Sequence, residues 1–245
     1  MTKPKLESSQ RAARAAKRRF AGFPAMKQLS SQTYRDRIRS LYDGPAGSVL
    51  ALASLVSLHM PLVGRMFKAR KPDVSQVRSV LDIGSGAGQI LGHLVKFVPA
   101  DAVIVGCDLS HQMLCRARKR LRSPRPLYIA ADMTHLPFAE AAFDLVTCGY
   151  VLEHLQDPMP GLREFHRVLK PGGKLFLLAT EDTVPGLLTS RTWKCRTYSR
   201  AELEAACVEA GLPWRTQLWL TPVHRFFKLG GILFEAEKRA AAAVN

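Results

Sequence analysis

The stretch Val80-Leu81-Asp82-Ile83-Gly84-Ser85-Gly86-Ala87-Gly88-Gln89 decides how this chain is read. A short apolar run enters a glycine turn, and the turn opens a helical stretch. Such a strand, turn and helix offer a ligand free backbone N–H groups and a backbone that can be approached closely. Glycine loops of this kind serve many nucleotides, so the spacing has to discriminate. A dinucleotide fingerprint places glycines at relative positions 1, 3 and 6. Here they fall at 1, 3 and 5, with Gln89 at position 6. Asp82 stands two residues ahead of the first glycine. A carboxylate there suits a ligand bearing an ammonium group and repels a pyrophosphate. Asp108 lies twenty residues beyond Gly88, at the end of the next apolar run. From that place a carboxylate can accept both hydrogen bonds of a ribose diol.

Outward from this stretch the pattern is regular. Short apolar runs at Ser79–Ile83, Ala102–Cys107, Leu127–Ala130, Phe143–Cys148 and Lys174–Ala179 alternate with helical stretches at Gln89–Phe97, Gln112–Leu121 and Met159–Leu169. Pro171-Gly172-Gly173 is expected to end the helix before the fifth run. Ser199–Gly211 reads as a capped helix, with Ser199 as N-cap, Glu202 as its capping-box partner and Gly211 as the stop. Two further strands are expected at Arg215–Leu220 and within Leu229–Ala236. Buried strands alternating with helices predict an α/β fold: a Rossmann-like, seven-stranded, mostly parallel sheet with helices on both faces. That domain would occupy residues 76–245. Residues 31–75 read as a helical N-terminal extension, broken at Asp43-Gly44-Pro45, and residues 1–30 as a basic flexible arm.

On these residues the chain resembles the class I S-adenosylmethionine-dependent methyltransferases, in the group that shares a methyltransferase type 11 domain. Asp82 with the glycine loop, Asp108, Ala131-Asp132-Met133, Leu136-Pro137-Phe138 with Phe143-Asp144, Glu153-His154 and Arg167–Gly173 stand in that family's order and spacing. The resemblance covers residues 78–180 by motif and extends to about 236 by element order. It implies S-adenosyl-L-methionine as cofactor. Asp82, Gly84, Ser85, Gly86 and Gly88 would follow its methionine part, and Asp108 would hold the ribose hydroxyls. Leu109 and Met113 would pack on the adenine. Asp132 would accept from the adenine amino group, with the backbone of Ala131 and Met133 along the ring. Cys148 and Gly149 would lie against the methionine end. Tyr150 and His154 are the candidates for the reacting side, His154 as a base. Asp144 reads as structural. No metal is implied.

The acceptor is the open question. The family implies a lid from residues 31–75, where Tyr34 and Tyr42 would reach inward, and an opening lined by Thr183–Tyr198 with Trp193 and Tyr198. The apolar segment Val49–Phe67 suits a greasy acceptor, and the resemblance extends to quinone and lipid methyltransferases. A small, lipophilic molecule methylated by in-line displacement is therefore the leading expectation. RNA or protein methylation through the basic arm is the alternative, and a non-catalytic S-adenosylmethionine-binding protein is a third reading. The acceptor motif Cys148–His154 is neither Asn-Pro-Pro-Tyr nor Asp-Pro-Pro-Tyr, which argues against adenine and glutamine amino groups.

Composition bounds these readings. The 245 residues are 47% hydrophobic, enough for one sizeable core. The formal net charge is +16, which favours acidic partners. Residues 1–40 carry eleven Lys and Arg against Glu7 and Asp36, so +9 of that charge sits there and +7 elsewhere. An anionic membrane surface or nucleic acid is the partner such a segment would meet. Cys107, Cys115, Cys148, Cys195 and Cys207 form no CxxC pair, and the histidines form no HExxH. Scattered, odd-numbered thiols are expected in a cytoplasmic protein. Val49–Val63 is too short to span a membrane, and the polar, basic start is not a secretory signal.

Overall fold

The strand that carries the decisive motif, β1 (Ser79–Ile83), divides its side chains between two layers. Leu81 and Ile83 join one core cluster, and Val80 joins the other. That is the period-two alternation of a strand buried on both faces. The computed structural model of the chain describes Asp36 and residues 74–183, 186–187, 190, 195–219, 222–227 and 231–239. The chain divides into two units, Met1–Arg35 and Asp36–Asn245, and everything described lies in the second. The basic arm, nearly all of the helical extension with Tyr34, Tyr42 and Val49–Phe67, and Trp193 lie outside the described residues.

After β1 come α1 (Gln89–Phe97), β2 (Val103–Asp108), α2 (His111–Leu121), β3 (Pro126–Ala130), β4 (Phe143–Gly149), a 3₁₀ turn (Leu152–His154), α3 (Met159–Val168), β5 (Leu169–Ala179), α4 (Arg200–Glu209), β6 (Trp214–Leu218), α5 (Pro222–Phe227) and β7 (Ile232–Glu237). The seven strands form one sheet in the order β3-β2-β1-β4-β5-β7-β6. β1 to β5 are parallel, and β7 runs antiparallel between β5 and β6. Leu91 and Leu94 of α1 pack on one face, with Val80, Ile104 and Leu145. Leu162 and Phe165 of α3 and Leu203 and Cys207 of α4 pack on the other. The α/β, mostly parallel, two-faced architecture is the one expected.

Three local features differ from expectation. β5 begins at Leu169, so Pro171-Gly172-Gly173 lies within a strand rather than after a helix. The pairing passes from Phe143↔Leu169 to Leu145↔Lys174, which leaves the intervening residues as a bulge. Backbone bonds from Gly172 N–H to the Lys238 carbonyl and from Lys238 N–H to the Gly173 carbonyl hold it extended. Next, the capping box on α4 is half made. Ser199 Oγ accepts from Glu202 N–H at 3.2 Å, but the Glu202 carboxylate pairs with Arg196. Lastly, α5 follows β6, where only a connection was expected.

Asp144 braces the N-terminal ends of the central strands, opposite the end that carries the glycine loop. It accepts from the N–H groups of Arg78 and Ser79, each at 2.9 Å, and from Lys170 Nζ at 2.7 Å. Its structural reading holds.

Candidate functional site

The strand order reverses between β1 and β4, so the connections leaving those two strands diverge and open a crevice at their C-terminal ends. The residues singled out from the sequence gather along that edge. Gly84, Gly86 and Gly88 all take positive φ. At Gly84 the constraint is twofold. Its φ is +68°, and a Cβ there would lie 2.0 Å from Val151 Cγ2. The glycine loop therefore rests directly on the residue that leads into the 3₁₀ turn after β4. At Gly86 a Cβ would meet nothing closer than Gln89 Oε1 at 3.5 Å and Met113 Cε at 3.7 Å. That part of the loop borders a cradle rather than a packed wall. Ser85 is buried and braces the turn, its Oγ donating to the Asp82 carbonyl at 2.8 Å.

Asp82 is 1% exposed, although it is a carboxylate. Thr147, its neighbour in register on β4, donates to Oδ1 at 2.7 Å. Oδ2 is buried without a hydrogen-bond partner. Burial raises the carboxyl from 3.8 to about 7; the bond from Thr147 lowers it, and the charge of Asp108 raises it further. An orphaned, proton-hungry oxygen beside a glycine loop is a built receptor for a cation or a donor group.

Asp108 ends β2. Its Oδ2 accepts from Gly86 N–H and its Oδ1 from Ser110 N–H, both at 2.8 Å. These bonds tie the glycine loop to the start of α2 and fix the carboxylate plane. Ser110 caps α2, accepting from Met113 N–H at 3.1 Å, and so buries Met113 against the loop. Leu109 is half-buried in the same connection. After β3, Ala131 N–H donates to the Asp108 carbonyl at 3.0 Å. Asp132 Oδ1 accepts from Thr134 N–H at 2.9 Å and Thr134 Oγ1 at 2.8 Å, bracing the turn that Met133 shares. Asp82, the glycine loop, Asp108, Leu109, Met113 and the Ala131–Met133 turn thus line consecutive connections of one edge.

The other side of the crevice is built by the segment after β4. Cys148 is fully buried in the core, and a Cβ on Gly149 would lie 2.6 Å from Ile90 Cδ1. Tyr150 takes φ 58°, a left-handed conformation that costs a non-glycine residue about 1 kcal/mol. Its backbone N–H is fixed by the Leu178 carbonyl at 2.9 Å. Burial, and secondly the charge of Glu153, raise its phenol above the ordinary range. His154 is half-buried in the 3₁₀ turn, and burial lowers its imidazole to about 4. It is neutral through the physiological range and binds a proton weakly.

Two residues stand differently from their reading in the sequence. Tyr198, expected at the opening, is fully buried, and its hydroxyl donates to the Leu152 carbonyl at 3.0 Å. It clamps the 3₁₀ turn rather than facing an acceptor. Glu153, which sequence reasoning left without a role, is 4% exposed. Thr180 Oγ1 donates to its Oε1 at 2.6 Å, while Oε2 is buried without a hydrogen-bond partner. Burial raises it from 4.5 to about 7, against the lowering bond from Thr180. The signal in the sequence was its place in the Glu153-His154 pair between apolar Val151-Leu152 and Leu155, which gave it no role of its own.

Among the described residues no group of three or more His, Cys, Asp or Glu is placed to hold a metal ion, and no helix is long and apolar enough to cross a membrane.

Fold and edge together define a Rossmann-like domain that takes a nucleoside-bearing ligand across its β1/β4 crevice. Residues 81–177 match the methyltransferase domain family. Among curated relatives, the demethylmenaquinone methyltransferase of Chlorobaculum parvum is 31% identical over 163 residues, 65% of each chain. The ubiquinone/menaquinone biosynthesis C-methyltransferase of Geobacter sp. strain M21 is 31% identical over 147 residues, 58% of this chain and 63% of its own. This chain therefore spans slightly less than two thirds of the length of these relatives. Among solved structures, magnesium protoporphyrin IX methyltransferase from Synechocystis PCC 6803, with bound S-adenosylhomocysteine, superposes with a TM-score of 0.65. The match covers 83% of this chain and 99% of that one at 15% identity, a likeness of fold.

Proposed function

We propose that this protein is an S-adenosylmethionine-dependent methyltransferase whose acceptor is a small, lipophilic, quinone-like molecule. The observation that carries the cofactor is Asp82 Oδ2, a buried carboxylate oxygen without a partner beside the glycine cradle. The ligand's α-ammonium would complete its hydrogen bonding, with Gly84, Ser85, Gly86 and Gly88 shaping the loop around the methionine part. Asp108, oriented by two backbone N–H groups, would accept from the ribose hydroxyls. Leu109 and Met113 offer an apolar wall to the adenine. Asp132 and the backbone of Ala131 and Met133 lie along its edge, and Cys148 and Gly149 border the methionine end.

When bound, S-adenosylmethionine supplies an electrophilic methyl group on a sulfonium. The chain's own task is to hold the acceptor in line and to keep water out. Tyr150 and His154 would form the acceptor-side wall. The neutral, half-buried imidazole suits hydrogen bonding to an acceptor better than storing a proton. The similarity to a demethylmenaquinone methyltransferase and to a C-methyltransferase of ubiquinone/menaquinone biosynthesis favours a quinone-like acceptor.

The test is direct. The full chain is incubated with methyl-labelled S-adenosylmethionine and a reduced demethylnaphthoquinone carrying a short isoprenoid tail. Label in the quinol supports the reading. Cofactor binding with no label in any quinol, while labelled lipid, RNA or protein forms in a cell extract, would move the acceptor to that class.

A further inference from the structure

Glu153 is a buried charge that the cofactor does not use. It lies at the C-terminal edge of the sheet, four residues beyond β4, and Thr180 follows the last residue of β5. Gly149 and Leu178 are register partners just below. Three bonds lock this place. Arg196 N–H donates to the Glu153 carbonyl at 3.0 Å, Tyr198 N–H donates to the Thr180 carbonyl at 3.0 Å, and Tyr198 Oη donates to the Leu152 carbonyl. Arg200 anchors the next residue, its Nε and Nη2 each 2.7 Å from the Glu181 carboxylate. The backbone around Glu153 is thus held by the strap and its side chain by Thr180, yet one carboxylate oxygen is left without a hydrogen-bond partner among the described residues.

The titratable and charged groups around it are Cys148 of β4, Tyr150 and His154 on either side of it in the chain, and Cys195, Arg196 and Tyr198 of the strap. Burial first and the Glu153 charge after it raise Cys148, Tyr150 and Cys195; at Tyr198 Arg196 opposes burial and the same charge adds. Among the described residues the thiols and phenols here are neutral at neutral pH, and the nearby cation Arg196 turns its guanidinium to the Gln156 carbonyl and the Glu202 carboxylate. A buried carboxylate kept without a counter-ion is costly to the fold. That cost is explained if the oxygen faces a donor arriving with a ligand. Val151, two residues before Glu153, packs on Gly84 of the glycine loop, so this edge adjoins the place where the methyl group would be delivered.

We infer that Glu153 is a catalytic residue of this domain, the group that accepts the hydroxyl proton of a hydroxylated aromatic acceptor. The inference rests on the methyltransferase reading above and adds the acceptor's defining group, a phenolic hydroxyl next to the carbon that is methylated. The phenol O–H bond breaks, its electron pair stays on oxygen, and the proton forms a new O–H bond on Oε2. The charge placed on the ring makes the neighbouring carbon the nucleophile. That carbon gains the methyl group as the sulfonium becomes a thioether. Its own proton is then lost to water, and Glu153 returns its proton to the phenol oxygen. Thr180 is a positioning residue that fixes Oε1 and leaves Oε2 without a partner.

The experiment uses the full chain saturated with S-adenosylhomocysteine. Calorimetry compares 1-naphthol with 1-methoxynaphthalene, which differ by the donor hydrogen. The wild type is expected to favour naphthol at least tenfold, and Glu153→Ala to lose that preference while its S-adenosylhomocysteine affinity stays within about twofold. Glu153→Gln, which keeps size and an acceptor oxygen, serves if the alanine variant does not fold. With saturating S-adenosylmethionine and the quinol, wild-type kcat/KM for the acceptor is expected to rise with pH and level off near 7, and Glu153→Gln to lose that limb. An unchanged naphthol preference in Glu153→Ala, or a persisting limb in Glu153→Gln, overturns the inference and leaves the methyltransferase reading intact. A wild type that binds both probes equally overturns it as well. A wild type that binds cofactor but neither probe overturns the aromatic acceptor along with it.

Discussion

Two places in this domain are built alike and do different things. On the β1 side, Asp82 is buried, bonded through one oxygen to Thr147 and left with the other unpartnered. On the β4–β5 side, Glu153 is buried, bonded through one oxygen to Thr180 and left with the other unpartnered. Burial raises both carboxyls to about 7. The surroundings separate them. Asp82 shares its field with Asp108, so that side gathers negative charge and suits a ligand that brings an ammonium. Around Glu153 the thiols and phenols are neutral and the nearby Arg196 is paired with Glu202, so that side suits a neutral ligand that brings a proton. The comparison teaches that the same buried carboxyl can serve a cationic donor or an uncharged acceptor according to the charges around it, and the sheet supplies one from each of two strand pairs.

The most severe way to break this comparison is to separate the two halves mechanically. Gly84→Val meets both the positive φ and the Val151 side chain. It is expected to destabilise the domain by about 3 kcal/mol and abolish cofactor binding, as read by chemical denaturation and calorimetry. Asp82→Ala should leave the fold intact and weaken S-adenosylhomocysteine binding about thirtyfold, the worth of ~2 kcal/mol for a charge-assisted hydrogen bond. Asp108→Ala should weaken it at least about tenfold, since part of the Asp108 carboxylate is committed to Gly86 and Ser110.

A smaller effect sharpens the likeness rather than the difference. Both carboxyls have folded values above their unfolded ones, from 3.8 and 4.5 to about 7. The folded, ligand-free domain then holds protons that the unfolded chain has released. Their contribution to stability is complete below about pH 4 and is lost as the pH rises through about 7. The melting temperature of the ligand-free protein is expected to fall by ~5 °C over that span, and the double variant Asp82→Asn, Glu153→Gln to flatten the fall. The smallest effect expected is none: removing residues 1–30 should leave cofactor affinity unchanged, because every group assigned to the cofactor lies between Asp82 and Gly149.

The sequence announced one of the two carboxylates and hid the other, for physical reasons. Asp82 stands at a fixed distance from a glycine pattern, and that pattern is a local requirement of backbone conformation. Asp108 is equally local, one strand further on. The role of Glu153 depends on Thr180, 27 residues away across two strands, and on burial that no local spacing encodes. Tyr198 misled for the same reason. An aromatic residue in a long connection reads as part of an opening, whereas its hydroxyl closes on Leu152 within the core. The strands β1 to β4 were legible to within a residue or so because each buries an apolar run. The start of β5 was not, since Lys170–Gly173 has the composition of a turn and is drawn into the sheet by Lys238, far along the chain.

The pairing of Asp82 with a ligand ammonium is the centre of the account, and one titration tests it. S-adenosylhomocysteine binding is measured from pH 5.5 to 8.5 in the wild type and in Asp82→Asn, with NADH as a second ligand. The wild type is expected to bind S-adenosylhomocysteine and not NADH. Its affinity should rise about tenfold between pH 5.5 and 7 as Asp82 ionises, then fall as the ligand's amino group titrates at about 8. The rising limb should be missing in Asp82→Asn. Binding of NADH, or a rising limb of equal height in both proteins, would contradict the account.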